Sequence, residues 1–199
     1  MTLRLLWTAP VGLTTWFSNV LPLDGQIYVG SLGAEFRQTQ DTADGVVRIN
    51  GTSGAAELIF TPPPEHRGPR DVLGLAAGDA ELFVACANGS VYAVDPEGQP
   101  RWHAHAGDPI ISPPLAADLN RDGATDVVVV TRATKGTTAK AVALSGRGGR
   151  TIWATTVAHP PAGDPLLGAT LALGPLRADG GPELFVTLPT GDLAVLSPR

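Results

Sequence analysis

LFVACANGSVYAVDPEGQPRW, residues 82–102, packs three short apolar runs and two tight turns into one stretch, and it ends on a Trp in a strand-like context. The same grammar returns along the chain. TDVVVVT from 125, AKAVALS from 139, the turn GRGGR and TIWATTV from 151 make a third copy, and PELFVTL from 182 with DLAVLS from 192 makes a fourth. A more divergent first copy reads QIYVGS from 26, DGVVRING from 44 and ELIF from 57. Each copy is preceded by one more extended run: TWFSNVLPL at 15–23, DVLGLAA at 71–77, ISPPLAAD at 111–118 and ATLALGP at 169–175. A repeat of roughly 50 residues made only of strands implies the four-stranded blades of an all-β β-propeller.

The chain is read as a single domain, with blades near 15–62, 70–108, 110–160 and 168–199. First strands should line the axis, where small residues and prolines tolerate converging backbones. Second and third strands should sit between stacked sheets, so both their faces are buried and alternation gives way to runs such as DVVVV at 126–130. The fourth copy lacks an outer strand. LRLLWTAPVG at 3–12 carries Trp7 as the outer strands of the second and third copies carry Trp102 and Trp153. Residues 3–12 are therefore expected to pair with the last blade and close a ring without exposed edges.

The composition fits a folded, turn-rich chain: 24 Gly and 18 Pro among 199 residues disfavour helices, and 43% hydrophobic residues disfavour disorder. A net charge of −5 with scattered basic residues argues against a nucleic-acid partner. The single cysteine, Cys86, excludes an intrachain disulfide and is read as a small buried hydrophobe. No run approaches a membrane span, and the N-terminal apolar stretch is short and broken by Pro10, so no membrane partner and a cytoplasmic location are expected by default.

AADLNRDGATDVVVV is the chemically sharpest segment. Its Asp118, Asn120, Asp122 and Asp126 follow D-x-N-x-D-G-x-x-D, with Gly123 for the sharp turn and the Ala124 carbonyl as a further oxygen. A hard cation takes its oxygens from alternate positions of such a loop, so the metal set is Asp118, Asn120, Asp122, Ala124 and Asp126. The plain alternative is an Asx-rich turn with no ion. PLRADGGPELFV from 175 is a worn copy: Asp179, Gly180 and Glu183 match, Pro175 and Arg177 do not, and no metal is expected there. His103 and His105 share a strand face but lack a third ligand, and GRGGR at 146–150 reads as a turn.

The repeat in 82–102 resembles the PQQ-type propeller repeat, and the loop at 118–126 resembles that of FG-GAP or integrin-type propeller repeats. The second resemblance implies a structural calcium ion. Propellers of the first kind usually close with about eight blades, which leaves three readings for four copies. These are a self-closed four-bladed ring, a homodimer sharing an eight-bladed ring with residues 3–12 exchanged, or part of a longer chain. The quinoprotein enzymes of the first family sandwich their cofactor against a pair of adjacent cysteines, which this chain lacks.

The leading expectation is a noncatalytic interaction module that meets a protein or glycan partner through loops such as 37–44 and 131–140. The alternatives are a subunit with a cofactor in a central pocket, or a carbohydrate-binding propeller. The last would need exposed loop aromatics, for which Trp16 and Phe17 are the adjacent pair.

Overall fold

The computed structural model describes residues 3–14, 18–32, 44–64, 70–133, 138–159, 168–176, 182–188 and 190–197. Among them there is no helix, and the strands form four antiparallel sheets. The first sheet comprises β1 (Val20–Leu23), β2 (Gln26–Leu32), β3 (Asp44–Asn50) and β4 (Ala56–Phe60) in sequence order. The second comprises β5 (Val72–Ala77), β6 (Leu82–Cys86), β7 (Ser90–Val94) and β8 (Pro100–His105). The third comprises β9 (Leu115–Ala117), β10 (Asp126–Arg132), β11 (Ala139–Leu144) and β12 (Thr151–Ala158). The fourth has three strands, β13 (Thr170–Gly174), β14 (Glu183–Thr187) and β15 (Leu193–Leu196).

Burial follows from stacking. β6, β7 and β10 are buried along their whole length, because each lies mid-sheet with a neighbouring sheet on both faces. Alternate residues of the second sheet serve different neighbours. Leu75, Leu82, Val84, Tyr92 and Val94 pack with Tyr28, Val46 and Phe60 of the first sheet. Phe83, Ala85, Val91 and Ala93 pack with Val127, Val129, Val142 and Leu144 of the third. A further cluster joins the third sheet to Leu184 and Val186 of the fourth. No core cluster joins the fourth sheet to the first among the described residues.

The first strands converge as their composition implies. A Cβ on Gly74 of β5 would meet Asn19 Oδ1 and Pro113 Cβ, each at 2.8 Å, from the flanking sheets. Asn19 fastens that junction by accepting from Leu75 N at 2.8 Å and donating Nδ2 to Leu75 O at 2.5 Å.

Two outer strands, β4 and β8, dock on the next sheet at a left-handed glycine of its outer hairpin. Trp102 of β8 lies against Gly149, at φ 73°, in the β11–β12 hairpin, where a Cβ would stand 2.8 Å from the ring. Its Nε1 donates to Gly146 O at 2.6 Å. In the first sheet the backbone of Ile59 takes the corresponding place, its carbonyl set against Gly98 (φ 88°) of the β7–β8 hairpin. Trp7 repeats the Trp102 contact. It lies on Gly54 (φ 73°), and its Nε1 donates to Gly51 O at 3.1 Å, the same 44-residue separation as from Trp102 to Gly146.

That placement changes the expectation for residues 3–12. They form no strand and join no ladder with β15; they lie across the first sheet, where Trp7, Ala9 and Val11 cover Val29, Val47 and Ile49. The fourth sheet accordingly has three strands among the described residues, and no ladder there joins it to the first sheet. Side-chain burial draws Trp7 to the first sheet independently of any backbone pairing at the other edge.

Trp102→Ala should lower the unfolding free energy by about 3 kcal/mol in a denaturant titration, and Trp102→Phe by about 1, because the second change removes mainly the indole donor. Equal losses for the two variants would show that the ring's burial contributes nothing beyond its hydrogen bond.

Candidate functional site

The loop between β9 and β10 turns as its spacing requires, with Arg121 at φ 61° and Gly123 at φ 79°. Its acidic residues are engaged with the backbone. Asp118 Oδ1 accepts from Asp122 N at 3.1 Å and Oδ2 from Gly123 N at 3.0 Å. Asn120 Oδ1 accepts from Asp122 N at 2.9 Å, and Asp122 Oδ1 from Ala124 N at 2.9 Å. These bonds gather Asp118, Asn120 and Asp122 on one turn.

Asp126 is fully buried at the start of β10 and works at a different place. Its Oδ2 accepts from Leu119 N at 3.1 Å and its Oδ1 from Gly146 N at 3.1 Å, so one carboxylate ties the loop to the β11–β12 hairpin. Glu183 does the same for the worn copy, accepting from Leu176 N at 2.8 Å across the same seven-residue interval. The acid at the loop's last position is therefore a backbone bracket in both sheets. Arg177, Asp179 and Gly180 lie outside the described residues.

Two residues that the motif does not contain complete the arrangement. Asp79, from the β5–β6 turn of the second sheet, accepts from Thr125 N at 3.0 Å and from Thr125 Oγ1 at 2.6 Å. Arg147, in the β11–β12 hairpin, donates Nη2 to Asp122 O at 3.0 Å and places Nε 3.5 Å from Asp122 Oδ2. Gly146 joins this cluster to the Trp102 dock, since it donates to Asp126 and accepts from Trp102. A Cβ on Gly146 would collide with the Thr125 carbonyl oxygen. The loop is thus part of the junction between the second and third sheets. The Thr125 hydroxyl and amide hold the Asp79 carboxyl below its ordinary range, and the Ala124 amide does the same for Asp122.

The donor set suits a hard cation in kind: carboxylates, an amide oxygen and the Ala124 carbonyl. Carboxylate oxygens that accept one N–H each keep lone pairs for a metal. Among the described residues no group of three or more His, Cys, Asp or Glu side chains stands close enough to hold an ion, so an ion here would draw on Asn120 and the Ala124 carbonyl beside the carboxylates.

Other reactive side chains are also occupied structurally. His103 stacks on Tyr92 with ring centres 4.6 Å apart, and His105 bonds to Asn88 O at 2.9 Å and Gly107 N at 3.0 Å, so the two do not act as a chelating pair. Cys86 is buried, which pushes its thiol pKa up. GRGGR is a turn closed by Gly149 N donating to Ser145 O at 2.7 Å. Residues 37–43, 134–137, Trp16, Phe17 and His66 lie outside the described set.

The sequence also gave no warning of an open groove of about 730 Å³ on the outer side of the first two sheets. Gln26, Tyr28, Asn50, Glu57 and Glu97 line it, and Arg48 spans it. Arg48 donates Nη1 to Pro96 O at 3.2 Å and Nη2 to Glu57 Oε2 at 2.9 Å. The groove is peripheral, unlike an axial cofactor pocket.

No protein-family model matches the chain, and no curated protein sequence matches it. Solved structures do. BamB from Moraxella catarrhalis superposes with a TM-score of 0.55 at 18% identity, over 95% of this chain and 49% of its own. A quinohemoprotein alcohol dehydrogenase from Comamonas testosteroni gives 0.56 at 17%, over 77% of this chain and 23% of its own. BBS1N, in its complex with ARL6DN, gives 0.55 at 16%, over 87% and 47%. The chain spans less than half the length of each of these chains. The likeness shows the fold: the stacked sheets are of the β-propeller type.

Because Asp79 is depressed, its contribution to folding is complete above the ordinary carboxylate pKa of about 4 and is lost as pH falls through the lower folded value. Asp79→Ala should lower Tm at pH 7 and flatten the fall in Tm as pH drops below about 4. An unchanged acid limb would show that Asp79 does not hold the junction.

Proposed function

We propose that this chain is a noncatalytic β-propeller module that presents a rigid surface to a protein or glycan partner, with one calcium ion bracing the β9–β10 loop. The observation that carries the reading is the use made of its polar chemistry: Asp79, Asp118, Asp122, Asp126 and Glu183 are committed to backbone N–H groups. Residues so committed hold sheets and loops in place and do not converge on a cavity where a reacting group could sit. The propeller type of the neighbours fits a scaffold, while fold likeness by itself assigns no activity.

The groove beside Arg48 is the favoured contact surface, because its mixture of carboxylates, amides and a spanning guanidinium suits an extended polar partner. A photo-crosslinking residue at Glu97 should trap a partner in cells more efficiently than one at Thr155 on β12. Trapping at neither position, together with turnover of an alcohol when PQQ and Ca²⁺ are supplied, would replace this reading with an enzymatic one.

Asp118, Asn120, Asp122, the Ala124 carbonyl and Asp126 would hold the ion with their oxygens. Ca²⁺ would neutralise the clustered carboxylates and hold the turn closed. Added Ca²⁺ should raise the Tm of chelator-treated protein saturably, and Asp118→Ala should abolish the rise. Identical melting in Ca²⁺ and in chelator would leave the loop standing on its hydrogen bonds alone.

A further inference from the structure

The stack of sheets has two complementary ends. At one end, residues 3–12 cover the first sheet as an outer strand covers the sheet after it. Trp7 sits on Gly54 and Gly51 as Trp102 sits on Gly149 and Gly146. Among the described residues no ladder pairs with residues 3–12. Leu3, Leu5 and Leu6 are exposed at 85%, 78% and 71%, an apolar run with nothing over it among the described residues. At the other end stands a sheet that has three strands among the described residues. Leu193 and Val195 on β15 are 59% and 43% exposed, whereas their counterparts Val91 and Ala93 on β7 are fully buried against the third sheet.

We infer that two copies of this chain assemble head to tail, with residues 3–12 of each copy adding to β15 of the other as the fourth strand. The existing ladders fix the register. Phe83 pairs with Ala93, which pairs with Trp102; Val128 pairs with Ala143, which pairs with Trp153; Phe185 pairs with Val195. Trp7 therefore lies opposite Val195. The second and third sheets carry a one-residue irregularity beyond the Trp, Val94 opposite Pro100 and Leu144 opposite Thr151, which sets Leu5 opposite Leu196. Thr8 faces Ala194, as His103 faces Tyr92 and Ala154 faces Val142.

The added strand also brings two matching surfaces together. Phe185, Leu193 and Val195 occupy the positions by which Phe83, Val91 and Ala93 pack on the next sheet. They would meet Val29, Val47 and Ile49 on the back of the first sheet, already capped along one side by Trp7 and Ala9. Supply and demand lie on one chain but at opposite ends of its stack, so a second copy satisfies both. A two-fold axis makes the two junctions equal, closes a ring of eight sheets and gives the fourth sheet the outer strand that the other three have.

Light scattering on the purified full chain should give twice the 20.5 kDa chain mass. Val195→Lys, at a position exposed in the single chain, should give the single mass with an unchanged far-ultraviolet spectrum. The double variant Leu5→Cys/Leu196→Cys should oxidise to a covalent dimer, and a mixture of the two single variants should link one to the other. A wild-type chain of single mass, or a double variant that forms its disulfide within one chain or not at all, overturns the proposal.

Discussion

An indole resting on a left-handed glycine of a neighbouring hairpin, Trp102 on Gly149 and Trp7 on Gly54, is the contact on which the rest of this structure depends. A β-sheet alone buries one face at most, and these sheets become stable only as a stack. The hairpin glycine sets the approach distance. At Gly54 and Gly149 the positive φ admits a tight turn, and the absence of a Cβ lets an indole lie on the backbone. With that distance set, both faces of strands such as β7 and β10 are shielded from water, which is why they can be apolar throughout.

The polar residues make sense in the same frame. Turning a chain tightly at every sheet end strands N–H groups away from partners, and such groups must be satisfied where they are buried. Asp126 and Glu183 answer the amides of the β9–β10 and β13–β14 turns, and Asp79 reaches from one sheet to the next to answer Thr125. The acidic loop is therefore an element of assembly first. A cation held there would reinforce a junction that already links Trp102, Gly146 and Asp126.

Much of the architecture was legible in the sequence because its period is carried by strong signals. Strand order, the doubly buried central runs and the inward docking of Trp102 all follow from alternation, glycine turns and one aromatic per repeat. The fate of residues 3–12 was half legible. Trp7 predicts a docking contact and makes one, but the indole settles on the first sheet and the segment forms no strand, because burying a side chain needs no ladder. Asp79 was missed because its partner Thr125 is 46 residues away and neither belongs to a spacing motif. Arg48 was missed for a similar reason, since its acceptor Pro96 O is a backbone atom 48 residues distant. Asp126 was placed in the right loop, but its spacing cannot distinguish a ligand from a bracket.

Amide hydrogen exchange tests the docking contact most directly. In Trp7→Ala the account predicts faster exchange at Gly54 and along β2 and β3, with β10 and β11 unaffected; in Trp102→Ala it predicts the reverse, with losses at Gly149, β10 and β11. Uniform loss across all four sheets in either variant, or none at the glycine each indole covers, would contradict it.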